Sequence, residues 1–387
     1  MVKTPLNFDE NAGARLLADA REAIIDALDG SANASSVHTS GRKARAIIER
    51  SREYVGGLCG ADKDSVVFTS GATEAASLAL SPAILRGREV LPVGRLYVAA
   101  TEHPCVLSGN RLADRLTILP VDGDGLIDLA VLARHLEAHD PADGVPMVAV
   151  MLANNETGVI QPVAAAADLV HDQGGFIFCD AVQAFGRIPV DIGDLRVDFL
   201  GVSSHKIGGP QGAGALILAS PDTRPVPLLT GGGQERGLRA GTENVAAIAG
   251  FGVAAGRVMD HVEYKESVAR MRDRLEAGIR RISQDVQFAG AVAPRLPNTA
   301  MCVVPGLAAE TAVIAFDLEG VAVSSGSACS SGKVAPSHVL QAMGFPEDLA
   351  GSGIRISLPA DVTEADIDHF LLVWQSVDRR LRPDKAA

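Results

Sequence analysis

The sequence has no basic block and no long apolar run. Its formal net charge is −12 over 387 residues, which argues against nucleic acid or an anionic membrane as a partner. Apolar stretches such as VAVMLA at 148–153 fall far short of the ~20 residues that a membrane span needs. The opening MVKTPLNFDE lacks the apolar centre of a secretory signal. Cys59, Cys105, Cys179, Cys302 and Cys329 are scattered without a C-x-x-C pair. Neither a disulfide framework nor a metal site is expected from them. There is no internal repeat and no low-complexity tract. These absences describe a soluble protein of a reducing compartment, most simply the cytoplasm.

What is present is apolar sequence, 47% of the chain, enough for a large core in two or three domains. Residues 1–12 read as an extended arm. Residues 14–29 place Leu16, Leu17, Ala20, Ile24, Ala27 and Leu28 on one helical face, and Gly30 ends that helix. A polar turn region, 32–45, leads into a helix from about Arg42 to Leu58. Apolar strands then alternate with helices: VVFT, LYVAA, LTILP, MVAVMLA, FIFCD, DFLGVS and GALILA. Such alternation predicts a mostly parallel sheet in an α/β domain. Near residues 255–262 the composition shifts to a charged helix, and an α+β unit follows. The expected division is 13–258 for a large domain, with 1–12 and 259–387 forming a small one.

In parallel sheets ligands bind beyond the carboxyl ends of the strands. Polar residues at 101–103, 154–156, 180–183 and 203–206 fall at those ends. Lys206 follows a strand end amid Ser203, His205 and several glycines. Its amine suits a Schiff base with an aldehyde cofactor, with Ser203 and His205 as phosphate donors. The T-S-G-A-T-E turn at 69–74 opens a helix whose free N–H groups would take an anion, although it is equally good as a simple cap. His103 could stack on a flat ring and move protons, or be a partly buried histidine with one hydrogen bond. Asp180 ends an apolar strand, where a carboxylate is costly unless paired; a protonated pyridine nitrogen would pair it, and the alternative is a helix cap. Asn154 and Asn155 read equally as turn formers. Arg355 could hold a carboxylate bidentately or be simply solvated. The run 231–245, with Arg239 and Thr242, reads as an exposed loop that binds an anion, touches another subunit or does neither. Cys179 and Cys302 read as inert core. Cys329 lies among Ser324, Ser325, Gly326, Ser327, Ser330, Ser331 and Gly332, the setting of a reactive thiol.

With those residues placed, the chain resembles the cysteine desulfurases of the NifS/IscS type, within the class-V aminotransferase-like pyridoxal-phosphate enzymes. The resemblance rests on ASSVHTSGRKAR, FTSGATE, TEH, NNETG, DAVQ, SSHKIGGPQGAGAL, GGGQERGLRAGTENV, SSGSACSSGKVAPSHVL and IRISL, in that order over nearly the whole chain. It implies a fold-type-I architecture, pyridoxal 5'-phosphate as cofactor, and conversion of L-cysteine to L-alanine with a persulfide left on Cys329. It implies Lys206 as the Schiff-base lysine, His103 over the ring, Asp180 at the pyridinium and Gln183 at the ring hydroxyl. Ala72, Thr73, Ser203 and His205 would bind the phosphate, with Thr242 supplied by the second subunit of a homodimer. Asn155 and Arg355 would meet cofactor and substrate near its carboxylate. Sulfur would pass to an acceptor such as an iron–sulfur scaffold. A selenocysteine lyase, another class-V enzyme or a non-catalytic scaffold of this fold are the competing readings. Two departures stand out: FDENAGARLL replaces a D-x-x-A/S-T-T-like segment that commonly approaches the active site, and Ala34 stands where the family has proline.

Overall fold

Strands FIFCD and FLGVS are buried at every position, because the sheet that contains them is covered on both faces. Their side chains still alternate. Ile177, Cys179, Leu200 and Val202 join one apolar core, and Phe176, Phe178 and Phe199 join the other, as a period of two requires. The computed structural model describes residues 5–30, 32–108, 111–259, 264–326 and 335–383.

Strand β1 (Leu6–Asn7) belongs to the arm. The large sheet holds β2 (Val66–Thr69), β3 (Ala83–Arg86), β4 (Glu89–Ala99), β5 (Leu116–Leu119), β6 (Val145–Ala149), β7 (Phe176–Asp180), β8 (Phe199–Ser203), β9 (Gly214–Leu218) and β10 (Thr223–Pro225). Their order is β10-β3-β4-β6-β7-β8-β9-β2, with β5 beside β4. The middle, β5-β4-β6-β7-β8, is parallel. Both flanks are antiparallel. The result is a large mixed sheet, mostly parallel at its centre, in an α/β fold. Two antiparallel steps, β8 to β9 and β9 to β2, return β2 to the direction of β8. All the carboxyl ends that matter therefore share one edge.

Beyond the helix Tyr264–Ile282, strands β11 (Gln287–Phe288), β12 (Thr299–Val303) and β14 (Gly353–Ser357) form a second, antiparallel sheet. Strand β13 (Val321–Ala322) pairs with β1 of the arm. Phe8 of the arm enters the core of this second unit, against Phe370 at a ring distance of 5.2 Å, near Phe316 and Trp374.

Three expectations change. The first helix begins at Ala18, not near residue 14. The stretch before it is drawn alongside the lysine segment instead, where Ala14 and Leu17 donate backbone bonds to the carbonyls of His205 and Gly208. Leu16 and Leu28 are consequently exposed. The strand expected at 96–100 starts at Glu89 and forms a hairpin with β3. The strand expected at 147–153 runs Val145–Ala149; beyond it Val150 and Leu152 still donate to the Phe178 and Asp180 carbonyls of β7 before the chain bends.

Candidate active site

Four of the parallel strands deliver polar groups to the shared edge. β4 leads to His103, β6 to the NNETG turn, β7 ends on Asp180, and β8 ends on Ser203 with Lys206 just beyond. β2 delivers the helix Ala72–Ala79, whose N-cap Gly71 provides no side-chain bond to the first turn. Its leading N–H groups are thus left for an external anion. A Cβ on Gly214 would lie 2.7 Å from Gly71 Cα, so glycine there lets β9 approach the turn. Thr73 is exposed on the first helical turn. Ser203 Oγ and His205 Nδ1 are 2.8 Å apart. Burial, then the charges of Lys206 and Arg187, push His205 down to about 4, so its ring is neutral.

Asp180 is only 8% exposed, and among the described residues it forms no ion pair. Its Oδ1 accepts the Val182 N–H at 2.9 Å. Burial pushes its carboxyl up, while that N–H, His103 and Lys206 hold it back. No regular helix follows it, so it caps only a local turn. His103 Nδ1 accepts the Cys105 N–H at 3.2 Å. The neutral ring therefore carries its proton on Nε2. Burial first, with Lys206 and His338, lowers its basicity against the pull of Asp180.

Lys206 Nζ donates to the carbonyls of Asn11, at 2.6 Å, and Ala12, at 2.9 Å. Burial, then Arg187 and Arg355, lower the amine from 10.5 to about 8. The arm thus reaches the lysine itself. Gln183 is engaged: its Nε2 donates to the Asn11 carbonyl, and its Oε1 accepts from Arg187. Arg355 is not a solvated arginine. It is 5% exposed, with Nη2 on Asp9 Oδ1 at 2.6 Å and Nη1 on the Asn155 carbonyl at 3.1 Å. Among the described residues its buried Nε has no partner.

The 231–245 segment is not a plain exposed loop. Buried Glu235 takes two bonds from Arg52, at 2.7 and 2.8 Å, and one from the Phe68 N–H. Arg239 holds Glu74 at 2.8 Å. Thr242 is exposed and lines a hollow with Thr69 and Ser70 of its own chain. Cys329 lies outside the described residues. Among the described cysteines, burial keeps Cys59, Cys105, Cys179 and Cys302 as thiols, Cys105 at about 12.

Asp9, Asn11, Glu102 and Glu156 were not singled out from sequence. Asn11 is buried and bonds Thr299 and the Asn155 carbonyl. Glu102 is fully buried, accepts the Met151 N–H, and leaves Oε2 without a partner. The available signals were the strand-end positions of Glu102 and Glu156 and the acidic, amide-bearing DEN at 9–11.

The aminotransferase class-V family model matches residues 6–370. The chain belongs to the aminotransferase class-V family. A curated relative from Trichormus azollae named cysteine desulfurase is 38% identical, over 97% of this class-V chain and 93% of its own. The X-ray structure of a NifS-like protein from Rickettsia africae superposes with a TM-score of 0.86 at 32% identity, covering 96% of this chain and 99% of that one. The structure of SspA in complex with cysteine does so at 0.76 and 30%, covering 92% and 99%. The fold is therefore that of fold-type-I class-V enzymes. Among the described residues no helix is long and apolar enough to cross a membrane.

Proposed function

We propose that this class-V chain is a pyridoxal 5'-phosphate-dependent cysteine desulfurase, in line with the names of its relatives. The observation that carries the reading is the meeting of an unpaired buried carboxylate, Asp180, with Lys206 and His103 at one sheet edge. Among the described residues Asp180 forms no ion pair, and the helix Ala72–Ala79 has no side-chain cap; a phosphorylated pyridinium would supply both partners. Lys206 would hold the aldehyde carbon. Ala72, Thr73, Ser203 and His205 would hold the phosphate, and Gln183 and Asn155 would flank the ring. Bound there, the cofactor supplies an electron sink for carbon next to the substrate nitrogen.

The chain's own groups do the rest. Arg355 binds the substrate carboxylate. Lys206, an amine lowered to about 8, removes the α-proton and returns one to carbon. His103 carries a proton on Nε2 for the same exchange. The Cys329 thiolate forms a bond to the substrate sulfur as the carbon–sulfur bond breaks. Carbon keeps the electron pair and takes a proton, giving alanine. Sulfur is oxidised to the persulfide on Cys329, so L-cysteine plus enzyme thiol becomes L-alanine plus enzyme persulfide. We read 13–258 as the large domain and 1–12 with 259–387 as the small one. The working form in this reading is a cytoplasmic homodimer that passes sulfur to an acceptor, an iron–sulfur scaffold being the favoured kind.

Cys329→Ser tests the reading. The variant should stay yellow, bind cysteine and exchange its α-proton with solvent. It should make almost no alanine and no persulfide, because a hydroxyl is a far poorer nucleophile toward sulfur. Alanine formation near the parent rate would reject it.

A further inference from the structure

Glu156 follows Asn155 in the NNETG turn and is 1% exposed. Its N–H is fixed on Asn154 Oδ1 at 2.9 Å. Its carboxylate meets two residues far along the chain. Ser337 Oγ donates to Glu156 Oε2 at 2.5 Å. Gly326 backs onto the same atom: a Cβ there would stand 2.7 Å from Glu156 Oε2 and 2.7 Å from Met301 Cε, and its φ is +80°. Only glycine accommodates both the close approach and that backbone.

These two residues bracket the segment that carries Cys329. On the near side, Ser324 exchanges backbone bonds with Arg355, at 2.7 and 3.1 Å. On the far side, Ser337 caps the helix His338–Ala342, accepting the Leu340 N–H at 3.1 Å. His338 Nε2 lies 3.0 Å from the Glu102 carbonyl. The turn that Glu156 belongs to also offers the Asn155 carbonyl to Arg355. One buried carboxylate therefore bonds the far flank of the Cys329 segment and packs against the near one, beside the turn that meets Arg355.

We propose that Glu156 is a positioning residue for sulfur transfer, holding Gly326 and Ser337 together so that the thiol between them is presented to substrate. The inference rests on the desulfurase reading above and deepens it. Misplacing a reactant by about 1 Å costs on the order of 100-fold in rate, whereas α-proton removal uses groups on the sheet edge that Glu156 does not touch. The two steps should separate.

The test uses the cofactor-loaded enzyme with L-cysteine. In Glu156→Ala, persulfide formation on Cys329 should fall on the order of 10- to 100-fold, with α-proton exchange kept within about twofold. Glu156→Gln keeps an oxygen for Ser337 and should recover most of the loss. A readout without turnover is alkylation of Cys329 by iodoacetamide in the resting enzyme, located by peptide mass; its rate should change in Glu156→Ala and return in Glu156→Gln. Should Glu156→Ala fail to fold, Glu156→Asp and Gly326→Ala are judged by the same split. Equal loss in both steps would mean a general structural role, and no loss in either would mean no role; each overturns the proposal. A parent enzyme that forms no persulfide would instead sink the desulfurase reading itself, a distinct result.

Discussion

Glu10 is a carboxyl placed where ionisation is costly. Burial, helped by Asp361 and Asp9 and opposed by Arg187 and Lys206, raises it from 4.5 to about 6. The folded chain prefers the protonated form. Its stabilising contribution is full below 4.5, declines as the pH rises to about 6, and is absent above that. Glu10→Gln should therefore be more stable than the parent at neutral pH, by on the order of 1–2 kcal/mol. The two should converge under acid, as measured by denaturation midpoints across pH; a variant no more stable at neutral pH would contradict this. Lys206 offers a second test. Borohydride should fix the cofactor to the peptide containing Lys206, and labelling of another lysine would refute the assignment. Arg355 offers a third: Arg355→Lys loses the planar fork, so KM for cysteine should rise while cofactor absorbance stays, and unchanged kinetics would reject it. What the sequence left open at this scale was exposure. Arg355 reads as a carboxylate holder or as solvated until Asp9, far away in sequence, is seen against it.

At the scale of elements, the strand–turn–helix around Gly71 depends on two strands that are distant in sequence. β9 pairs antiparallel with β2, setting Gly214 against Thr69. In Gly214→Ala the added Cβ would meet Gly71 at 2.7 Å and the Val202 carbonyl at 2.8 Å. Overpacking of this kind costs about 1–3 kcal/mol, and here it shifts the anion-facing turn. Thermal stability and cofactor affinity, followed by absorbance titration, should both fall; neither moving would show that the turn tolerates the change. The parallel centre was legible because strands buried on both faces, such as FIFCD, read as unbroken apolar runs. The β3–β4 hairpin was not, because residues 89–92 are largely exposed and mixed in polarity, without the apolar signature. Nor was the delayed start of the first helix. Its apolar spacing is sound locally, but the bonds of Ala14 and Leu17 to His205 and Gly208 override it.

For the whole molecule, the proposal of shared sites makes a sharp prediction. If Thr242 serves the other subunit, mixing Thr242→Ala with Lys206→Ala gives a heterodimer with one intact site and one doubly damaged site. Activity should return on subunit exchange, and exchange without recovery would reject sharing. The arm has a consequence for how the molecule is made. Asp9 and Arg355 stand 346 positions apart, and Glu10 and Asn11 bond Ser357. A ribosome releases the arm well before its seat. Until β14 emerges, Gln183 can already hold the Asn11 carbonyl, but the arm lacks its bonds to Ser357 and Arg355. Domains tend to fold as they are synthesised, so the large sheet can assemble early, with the arm only half seated and Arg355 still missing. Completion of the site is thereby deferred until β14 has emerged, and a half-made chain is kept from becoming a half-competent catalyst.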